Sequence, residues 1–357
     1  MESQISYRKW IALFFAIVFS ILIMLSGIAY IVDPYFRFRV RDNTYIQSEL
    51  FVCSGLIDNY EYDTLILGSS MTQNFDMDSF REKLDVKPLH IGIGGATFLE
   101  INELINLAYG TGKADQFYIC VDLSSFTSDS GESRIPPYLL KDDPISKLQY
   151  LLSYEPWFSY IPVDICFLML DRAGVSLPPK FEYAKSIDKL GNWTLDYTFG
   201  EDIVLQRYKN DEFAVSEVDT ADLYNRMTKH IDGYLEGFDF SKGEHNFFFP
   251  PYSSLFWCDA EDSGYFDYYL QAKKYFVERA SEYGATVYDF QCAEFTMDLN
   301  NYKDTTHYSP EINDWMVDCF ANNSYIITEE DMNEFQEILI QNTAAFREKY
   351  WDVLNMI

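Results

Sequence analysis

The sequence is poor in basic residues and in histidine, and both shortages limit what the protein can do. Its 357 residues include 27 Lys and Arg against 56 Asp and Glu, a formal net charge of −29. Such an acidic chain repels phosphate backbones, so we expect no nucleic acid among its partners. Only four histidines are present, so few side chains are available for acid–base chemistry near neutral pH.

The six cysteines follow no metal-binding spacing. The sequence has no Cys-x-x-Cys motif and no paired His/Cys spacing, so a zinc site has little support and we expect neither a metal nor a cofactor. Cys120 lies in an apolar run and Cys319 in a helical pattern, which predicts buried thiols. The even number of cysteines would allow disulfides, but nothing in the sequence selects a pairing.

One long segment contains no charge at all. Residues 10–32 form a run of 23 residues between Lys9 and Asp33. At about 1.5 Å rise per residue, a helix of this length crosses the hydrocarbon core of a bilayer. We therefore expect a single-pass membrane anchor after a short tail, 1–9. The alternative is a cleaved signal peptide, because small residues occur at 27–29.

Basic residues flank this run on both sides and therefore do not fix its orientation. Arg8 and Lys9 precede it, whereas Arg37, Arg39 and Arg41 follow it. An acidic body rich in Tyr and Phe behind an N-terminal anchor suits the outer face of a bacterial cell membrane. We expect the body to be extracytoplasmic.

After a connector over 33–59, short apolar runs alternate with helical patterns. The runs lie at 63–67, 88–93, 116–123, 245–250 and 285–290. Thr97 opens a capping-box pattern with Glu100, which predicts a helix to about Tyr109. This alternation is typical of an α/β domain, in which helices wrap a parallel sheet.

The alternation is interrupted over 127–215, which we interpret as an insertion beside the sheet. Seven prolines occur there among aromatic and charged residues. Helical patterns return over 219–238, 265–283 and 310–320, the last opening with Ser309-Pro310, a typical helix start. A final amphipathic helix is predicted from Thr328. The sequence thus predicts an α/β domain over 60–322 and a C-terminal helical segment over 323–357.

Ser70 is the candidate nucleophile. It follows the first apolar run in Gly68-Ser69-Ser70-Met71, where we expect it to enter a helix N-terminus at the edge of the sheet. Ligands bind at the carboxyl ends of strands in open α/β sheets, and a helix N-terminus favours a developing negative charge. The alternative is structural, because Ser70-Met-Thr-Gln73 also fits a capping box.

Asp304-Thr-Thr-His307 is the candidate acid–base pair. If the loop turns, the carboxylate can orient the imidazole while the other ring nitrogen faces a serine. The alternative is an ordinary histidine in a surface loop. The three other histidines lie in or beside predicted secondary structure, which favours His307; they are His90, His230 and His245.

Gly94 and Gly95 follow the second apolar run. Glycine lets a backbone N–H approach a bound oxygen closely, although most such glycines only form a tight turn. The stretch from Gly92 is not the G-x-G-x-x-G of dinucleotide sites, because Thr97 occupies the last position.

In chain order, a first-strand serine, a second-strand glycine and a late Asp-x-x-His resemble the SGNH/GDSL-type hydrolase superfamily. The similarity is to its membrane-anchored bacterial branch, which includes proteins of lipoteichoic acid D-alanylation and alginate O-acetylation, and it covers 60–126 and 219–322. It implies a flavodoxin-like three-layer sandwich with a central parallel sheet. It also implies roles for four residues: Ser70 as nucleophile, His307 as general base, Asp304 as its orienting partner, and Gly95 (or Gly94) as an oxyanion donor beside the N–H of Ser70.

The chain departs from the superfamily pattern at two places. The first motif of the superfamily is Gly-Asp-Ser. In this chain the corresponding residues are Gly68-Ser69-Ser70, so Ser69 replaces the acidic residue. The third block, Gly-x-Asn-Asp, is absent, and the corresponding run ends Val121-Asp122-Leu123-Ser124. Loss of the block's Asn would remove an oxyanion donor, which can lower the rate about 100-fold. Ser124 is the candidate replacement.

The resemblance implies a membrane-anchored serine esterase or O-acyltransferase that acts on a cell-envelope polysaccharide or a teichoic-acid-like polymer. It also implies a membrane-bound O-acyltransferase as a partner. One alternative is a catalytically inactive scaffold or glycan-binding protein of the same fold, which we expect if Ser70 and His307 lie far apart. Another is metal-dependent hydrolysis through Asp122, Asp304 and His307.

Overall fold

The computed structural model describes residues 2–41, 45–127, 131–176, 178, 181, 184–210 and 220–354. Several parts of the predicted insertion, including 128–130 and 211–219, lie outside these ranges. The helices are α1 (Glu2–Val32), α2 (Glu49–Asn59), α3 (Met77–Leu84), α4 (Phe98–Thr111), α5 (Ser124–Thr127), α6 (Pro144–Leu152), α7 (Ile161–Arg172), α8 (Glu201–Lys209), α9 (Thr220–Leu235), α10 (Ser254–Asp262), α11 (Phe266–Glu282), α12 (Pro310–Asn322), α13 (Met332–Lys349) and α14 (Trp351–Leu354).

Five parallel strands form one sheet, so the predicted α/β class with a parallel sheet is confirmed. The strands are β1 (Thr64–Gly68), β2 (Pro88–Gly92), β3 (Gln116–Cys120), β4 (Glu244–Phe249) and β5 (Thr286–Asp289), and each lies within or at the edge of a predicted apolar run. Their spatial order is β2-β1-β3-β4-β5. Because β1 lies between β2 and β3, the loops that follow these three strands meet at one edge of the sheet.

The chain divides into two compact units. The anchor unit comprises Met1–Tyr60 and Ile135–Ser186, and the sheet unit comprises Glu61–Arg134 and Ile187–Ile357. The predicted connector contains α2, whose middle residues are buried. The predicted insertion contributes to both units, because its residues from Ile187 onward belong with the sheet.

Helix α1 contains one segment that is long and apolar enough to cross a membrane, Tyr7–Val32. None of the segment's most apolar stretch is buried. A signal sequence near the N-terminus has the same length and composition. The predicted apolar N-terminal helix is therefore present.

The turn after α1 is held by a buried carboxylate. Asp33 accepts hydrogen bonds from the backbone N–H groups of Arg37 and Phe38, each at 2.9 Å, and from the Tyr150 hydroxyl at 3.0 Å. Burial raises the pKa of Asp33, although these hydrogen bonds act in the opposite direction. The buried Arg37 guanidinium pairs with Asp58 at 2.7 Å. These contacts fix the path of the chain as it leaves the apolar helix.

The helices of the sheet unit begin close to their predicted starts. Thr97 and Glu100 form the predicted capping box at the start of α4. Ser309 occupies the N-cap position of α12, but its side chain makes no capping hydrogen bond. Of the predicted Ser309-Pro310 helix start, the structure therefore confirms the proline at the first helical position. The last predicted helix begins at Met332 rather than at Thr328, whose hydroxyl donates to Asp331 instead.

All six cysteines are free thiols. Cys120 and Cys319 are buried, as the sequence predicts. Cys166 is exposed, and burial raises the pKa of the half-buried Cys292 to about 12.

Gly68, the last residue of β1, packs closely against Thr72 and Cys120. A substitution at Gly68 therefore tests this packing. A Cβ there would lie 2.4 Å from Cγ2 of Thr72 and 2.6 Å from Cβ of Cys120. We expect Gly68→Ala to lower the free energy of unfolding by about 1–3 kcal/mol, because Cβ of Cys120 cannot move without shifting the backbone.

The matched control is Gly110→Ala in α4, where a new Cβ meets nothing within 4 Å. We expect that variant to gain about 0.5–1 kcal/mol, because alanine is the better helix former. Denaturant unfolding of the detergent-solubilised chain measures both. Equal stabilities for the two variants would contradict the packing described here.

Candidate active site

The predicted helix directly after Ser70 is absent. Residues Ser70–Thr72 form a single 3-10 turn, and the next α-helix begins at Met77. The dipole argument for Ser70 therefore fails, because one turn does not build a helix macrodipole. The capping-box alternative is also wrong, since Ser69 is the cap: its Oγ accepts the N–H of Met71 at 3.4 Å.

Neighbouring strands hold this serine turn from both sides. The Ser69 hydroxyl donates to Oδ2 of Asp122, after β3, at 2.8 Å. On the other side, the Gln73 side chain donates to the carbonyl of Gly92, at the end of β2, at 3.1 Å. The turn is thus fixed by the two strands that flank β1, which leaves the half-buried Ser70 side chain free for other contacts.

Helix α12 contacts the same turn. The carbonyl of Met71 accepts a hydrogen bond from the Tyr308 hydroxyl at 2.8 Å and another from the Asn313 side chain at 3.3 Å. Tyr308 and Asn313 are buried. Because Tyr308 directly follows His307, these contacts fix the distance between the histidine loop and the serine turn.

The Asp304 carboxylate organises the histidine loop. Its Oδ1 accepts the backbone N–H groups of Thr306 at 3.0 Å and of His307 at 2.8 Å. The loop is closed by the Lys303 N–H, which donates to the carbonyl of His307 at 3.0 Å. The spacing of three residues works because the carboxylate folds the chain between Asp304 and His307 into a tight turn.

Ser70, His307 and Asp304 come together in one hydrogen-bonded chain. The Ser70 hydroxyl lies 2.8 Å from Nε2 of His307. The other ring nitrogen, Nδ1, lies 3.0 Å from Oδ1 and 2.9 Å from Oδ2 of Asp304. With the ring proton on Nδ1, donated to the carboxylate, Nε2 is the acceptor for the serine hydroxyl. This is the arrangement by which a histidine can take a proton from a serine.

Asp304 is charged in this setting. Burial by itself would raise the pKa of its carboxyl, but the hydrogen bond and the charge of His307, together with two backbone N–H groups, outweigh burial. The pKa is lowered to about 2. Asp304 is only 2% exposed, and its carboxylate therefore carries a buried negative charge beside the His307 ring.

The other three histidines have structural partners. Nε2 of His90 lies 3.0 Å from the Thr72 hydroxyl, and burial lowers the pKa of His90 to about 3. The ring of His230 lies 2.8 Å from the carbonyl of Ser125. That of His245 contacts the Tyr109 hydroxyl, and burial lowers its pKa to about 4.

The predicted glycine turn follows β2 and is held from behind by a salt bridge. Arg134 donates to the carbonyls of Gly94 at 3.0 Å and Gly95 at 3.1 Å. The same guanidinium binds Glu100 through two hydrogen bonds of 2.7 Å. Gly95 has a φ of +62°, a conformation that glycine adopts without strain.

Both backbone donors implied for an oxyanion are available. Among the described residues, the N–H groups of Ser70 and Gly95 donate to no protein acceptor. The turns that carry them are adjacent, because the N–H of Ile93 donates to the carbonyl of Gly68 at 2.9 Å.

Ser124 is not oriented as the predicted third donor. Its hydroxyl and its N–H both donate to Oδ1 of Asp122, at 3.0 and 3.3 Å. Asp122 also accepts from Tyr252 and from Ser69, so its acceptor positions are occupied. Within the part of the chain that the structure describes, no group of three His, Cys, Asp or Glu residues could hold a metal, which includes the set Asp122, Asp304 and His307.

An aromatic residue from the predicted insertion contacts the site, and sequence reasoning missed it. The indole N–H of Trp193 donates to the carbonyl of Ser70 at 3.3 Å. Its ring meets that of His307 edge to face, with centroids 5.6 Å apart. The backbone N–H of Trp193 donates to Oδ1 of the buried Asn74, whose Nδ2 has no partner among the described residues. No motif marks Trp193, because its segment lacks regular alternation.

A lysine lies beside the same indole. Nζ of Lys303 is 4.1 Å from the ring centroid of Trp193 and 3.5 Å from that of Tyr197. Burial lowers the pKa of Lys303, and the charge of Asp304 acts in the opposite direction. Tyr197 is exposed. The site therefore has a wall that combines aromatic rings with a positive charge.

The low pKa of Asp304 predicts a pH-dependent contribution to stability. The charged carboxyl stabilises the fold fully above its ordinary pKa of 3.8, and this contribution is lost as the pH falls to about 2. We expect the difference in free energy of unfolding between wild type and Asp304→Asn to shrink by about 2 kcal/mol between pH 5 and pH 2.

Denaturant unfolding across this range measures the difference. His307→Ala removes the partner that lowers the pKa, so we expect its difference from wild type to shrink over the same pH range. A difference that stays constant with pH would show that Asp304 and His307 are not paired.

Arg134 gives a second test, because it holds the glycine turn without touching Ser70 or His307. If Gly95 supplies a donor, we expect Arg134→Ala to lower the rate of ester hydrolysis about 10- to 100-fold, since a misplaced donor stabilises the transition state less. Arg279→Ala, which removes an arginine of α11 that pairs with Asp232 of α9, is the control and should retain the wild-type rate. An unchanged rate in Arg134→Ala would remove Gly95 from the site.

Comparison with protein-family models, with characterised proteins and with solved structures finds no match to this chain. The family is therefore not identified by similarity. What can be said of the site comes from its geometry, in which a serine, a histidine and an aspartate form a single hydrogen-bonded chain.

Proposed function

We propose that the protein is a membrane-anchored serine esterase or O-acyltransferase of the SGNH type. The observation that carries the proposal is the 2.8 Å contact between Ser70 Oγ and His307 Nε2, with Asp304 on the opposite ring nitrogen. The strand order 2-1-3-4-5 is that of flavodoxin-like doubly wound sheets, in which ligands bind at the carboxyl edge. This order supports a flavodoxin-like three-layer sandwich for the sheet unit.

In the proposed reaction, Ser70 Oγ attacks the carbonyl carbon of an acyl ester while His307 Nε2 takes its proton. The negative charge on the carbonyl oxygen is stabilised by the N–H groups of Ser70 and Gly95. Collapse breaks the ester bond, and His307 returns the proton to the leaving alkoxide, which departs as an alcohol. An acyl-serine remains.

The second half of the reaction decides between an esterase and a transferase. His307 deprotonates either water or a sugar hydroxyl, which attacks the acyl-serine and releases an acid or a new ester. Asp304 holds the ring in the required tautomer and stabilises the imidazolium in both halves. In the transferase version, a membrane-bound O-acyltransferase is the proposed partner that supplies the acyl group.

The proposed substrate is an acylated polysaccharide or teichoic-acid-like polymer of the cell envelope. The exposed ring of Tyr197 and the neighbouring Trp193 suit the apolar faces of sugar rings. The ammonium of Lys303, a residue that is 7% exposed, packs against both rings and supports them from behind. The Tyr7–Val32 helix supports a membrane-anchored body. The proposed substrate requires that this body lie outside the cytoplasm.

A serine-directed fluorophosphonate tests the nucleophile. We expect the detergent-solubilised chain to be labelled at Ser70, and Ser70→Ala to lose the label while keeping its thermal unfolding temperature. Ser281→Ala, at an exposed position of α11, is the control and should still be labelled. We expect His307→Ala to be labelled at least about 100-fold more slowly, because no base activates the serine.

Label that persists in Ser70→Ala would refute the assignment. Wild-type protein that stays folded and takes no label would favour the alternative, a catalytically inactive scaffold or glycan-binding protein.

A further inference from the structure

A second apolar surface lies in the anchor unit, on α6 and α7. Residues 144–170 contain only three charged residues, Lys147, Glu155 and Asp164, in a chain with a net charge of −29. The segment forms α6, a π-helical turn over Pro156–Tyr160, and α7. It shows no hydropathy run long enough to cross a membrane, so its apolar residues need another explanation.

Both helices present apolar side chains to the outside at helical spacing. Within each helix the exposed apolar positions lie three or four residues apart, and the π-helical turn between the helices adds one more. The six residues carry no charge; they are Ile145, Leu148, Leu152, Phe158, Ile165 and Met169. We refer to these six residues as the apolar face. Phe158 is 70% exposed and Met169 is 67% exposed. A contiguous set of large apolar side chains on the outside of a protein indicates a binding surface.

The polarity of α7 is the reverse of that of a helix that faces water. Over the first ten residues of α7 the one charged residue, Asp164, is buried and accepts a hydrogen bond from the Gln47 side chain at 2.8 Å, whereas Asp171 and Arg172 lie at the end of the helix. The opposite side carries Ile165, Met169 and the exposed Cys166. A water-facing helix buries its apolar side, so this orientation indicates apolar surroundings outside α7.

These helices pack on the last turns of α1. Ala29, Val32 and Ile161 form a buried cluster, and Leu151 and Trp157 pack against it. The apolar face is therefore continuous with the end of the helix that is long enough to span a membrane.

Two arginines that follow α1 donate hydrogen bonds to the last carbonyl groups of this helix. Arg39 donates to the carbonyl of Tyr30 at 2.8 Å, and its guanidinium lies 4.7 Å from the Tyr30 ring centroid. Arg41 donates to the carbonyls of Ile31 and Val32. Tyrosine and arginine at a helix end are typical of the lipid headgroup level. The cluster that joins α1 to α6 and α7 lies at the same level of the helix.

We propose that the apolar face inserts into the bilayer interface beside α1, so that the anchor unit contacts lipid through two further helices. Lipid suits this face better than a protein partner because its six side chains offer neither charge nor hydrogen bonds, and because it adjoins the spanning helix. The inference depends on membrane insertion of α1, which the proposed function also assumes, but not on catalysis.

Nitroxide labels in the full chain, reconstituted in lipid nanodiscs, test the insertion. Cys166 adjoins the apolar face and can be labelled in a Cys292→Ser background, since the four other cysteines are buried. Collisions with apolar oxygen and with a water-soluble nickel chelate report depth. The water control is Ser281→Cys, at an exposed position of α11, and the membrane control is Ser20→Cys in α1, both in a background that also carries Cys166→Ser.

We expect the oxygen-to-nickel collision ratio at residue 166 to be about tenfold higher than at residue 281 and to approach that at residue 20. A ratio equal to that at 281 would overturn the proposal. Spin–spin broadening between labels at 166 would also overturn it, because a second copy would then cover the face. A water-exposed label at 20 would refute the anchor, and the lipid contact with it, while fluorophosphonate labelling of Ser70 would be unaffected.

Discussion

The buried carboxylate of Asp304 is the interaction on which the candidate site depends. It folds its own loop by accepting backbone N–H groups, and it accepts Nδ1 of the imidazole that this loop carries. A single charge therefore fixes both the position and the tautomer of His307. Because Nδ1 of the imidazole lies against this carboxylate, loss of Asp304 would leave the His307 ring without its orientation.

Hydrogen bonds from three neighbouring elements fix the turn that carries Ser70. Contacts reach it from β2, β3 and α12, and each uses a side chain that is buried or half-buried. The hydroxyl of Ser70 is the exception, since its partner is the imidazole. The turn is thus held by hydrogen bonds that leave the Ser70 hydroxyl to the imidazole. Nucleophilic catalysis requires such positioning, because holding the reacting group in place accounts for much of a rate enhancement.

Sequence patterns predicted much of the sheet unit and less of what surrounds the site. The five strands and the Thr97 capping box were accessible because periodicity and caps are local properties. The grouping of Ser70, Asp304 and His307 followed from chain order and a family resemblance. The 3-10 turn after Ser70 and the contact of Trp193 were not accessible, because both depend on residues distant in sequence. The contact between the Ser124 hydroxyl and Asp122 is local, but no sequence pattern marks it.

The hydrogen bond between Ser69 and Asp122 limits the charges that these two positions can carry. The Ser69 hydroxyl lies beside Ser70, and the acid that accepts its hydrogen bond follows the neighbouring strand β3. Two carboxylates at this separation would repel each other, so one position must donate and the other must accept. Residues 69 and 122 are therefore linked by charge: an aspartate at position 69 would raise the pKa of one of the two carboxyl groups unless Asp122 were also replaced.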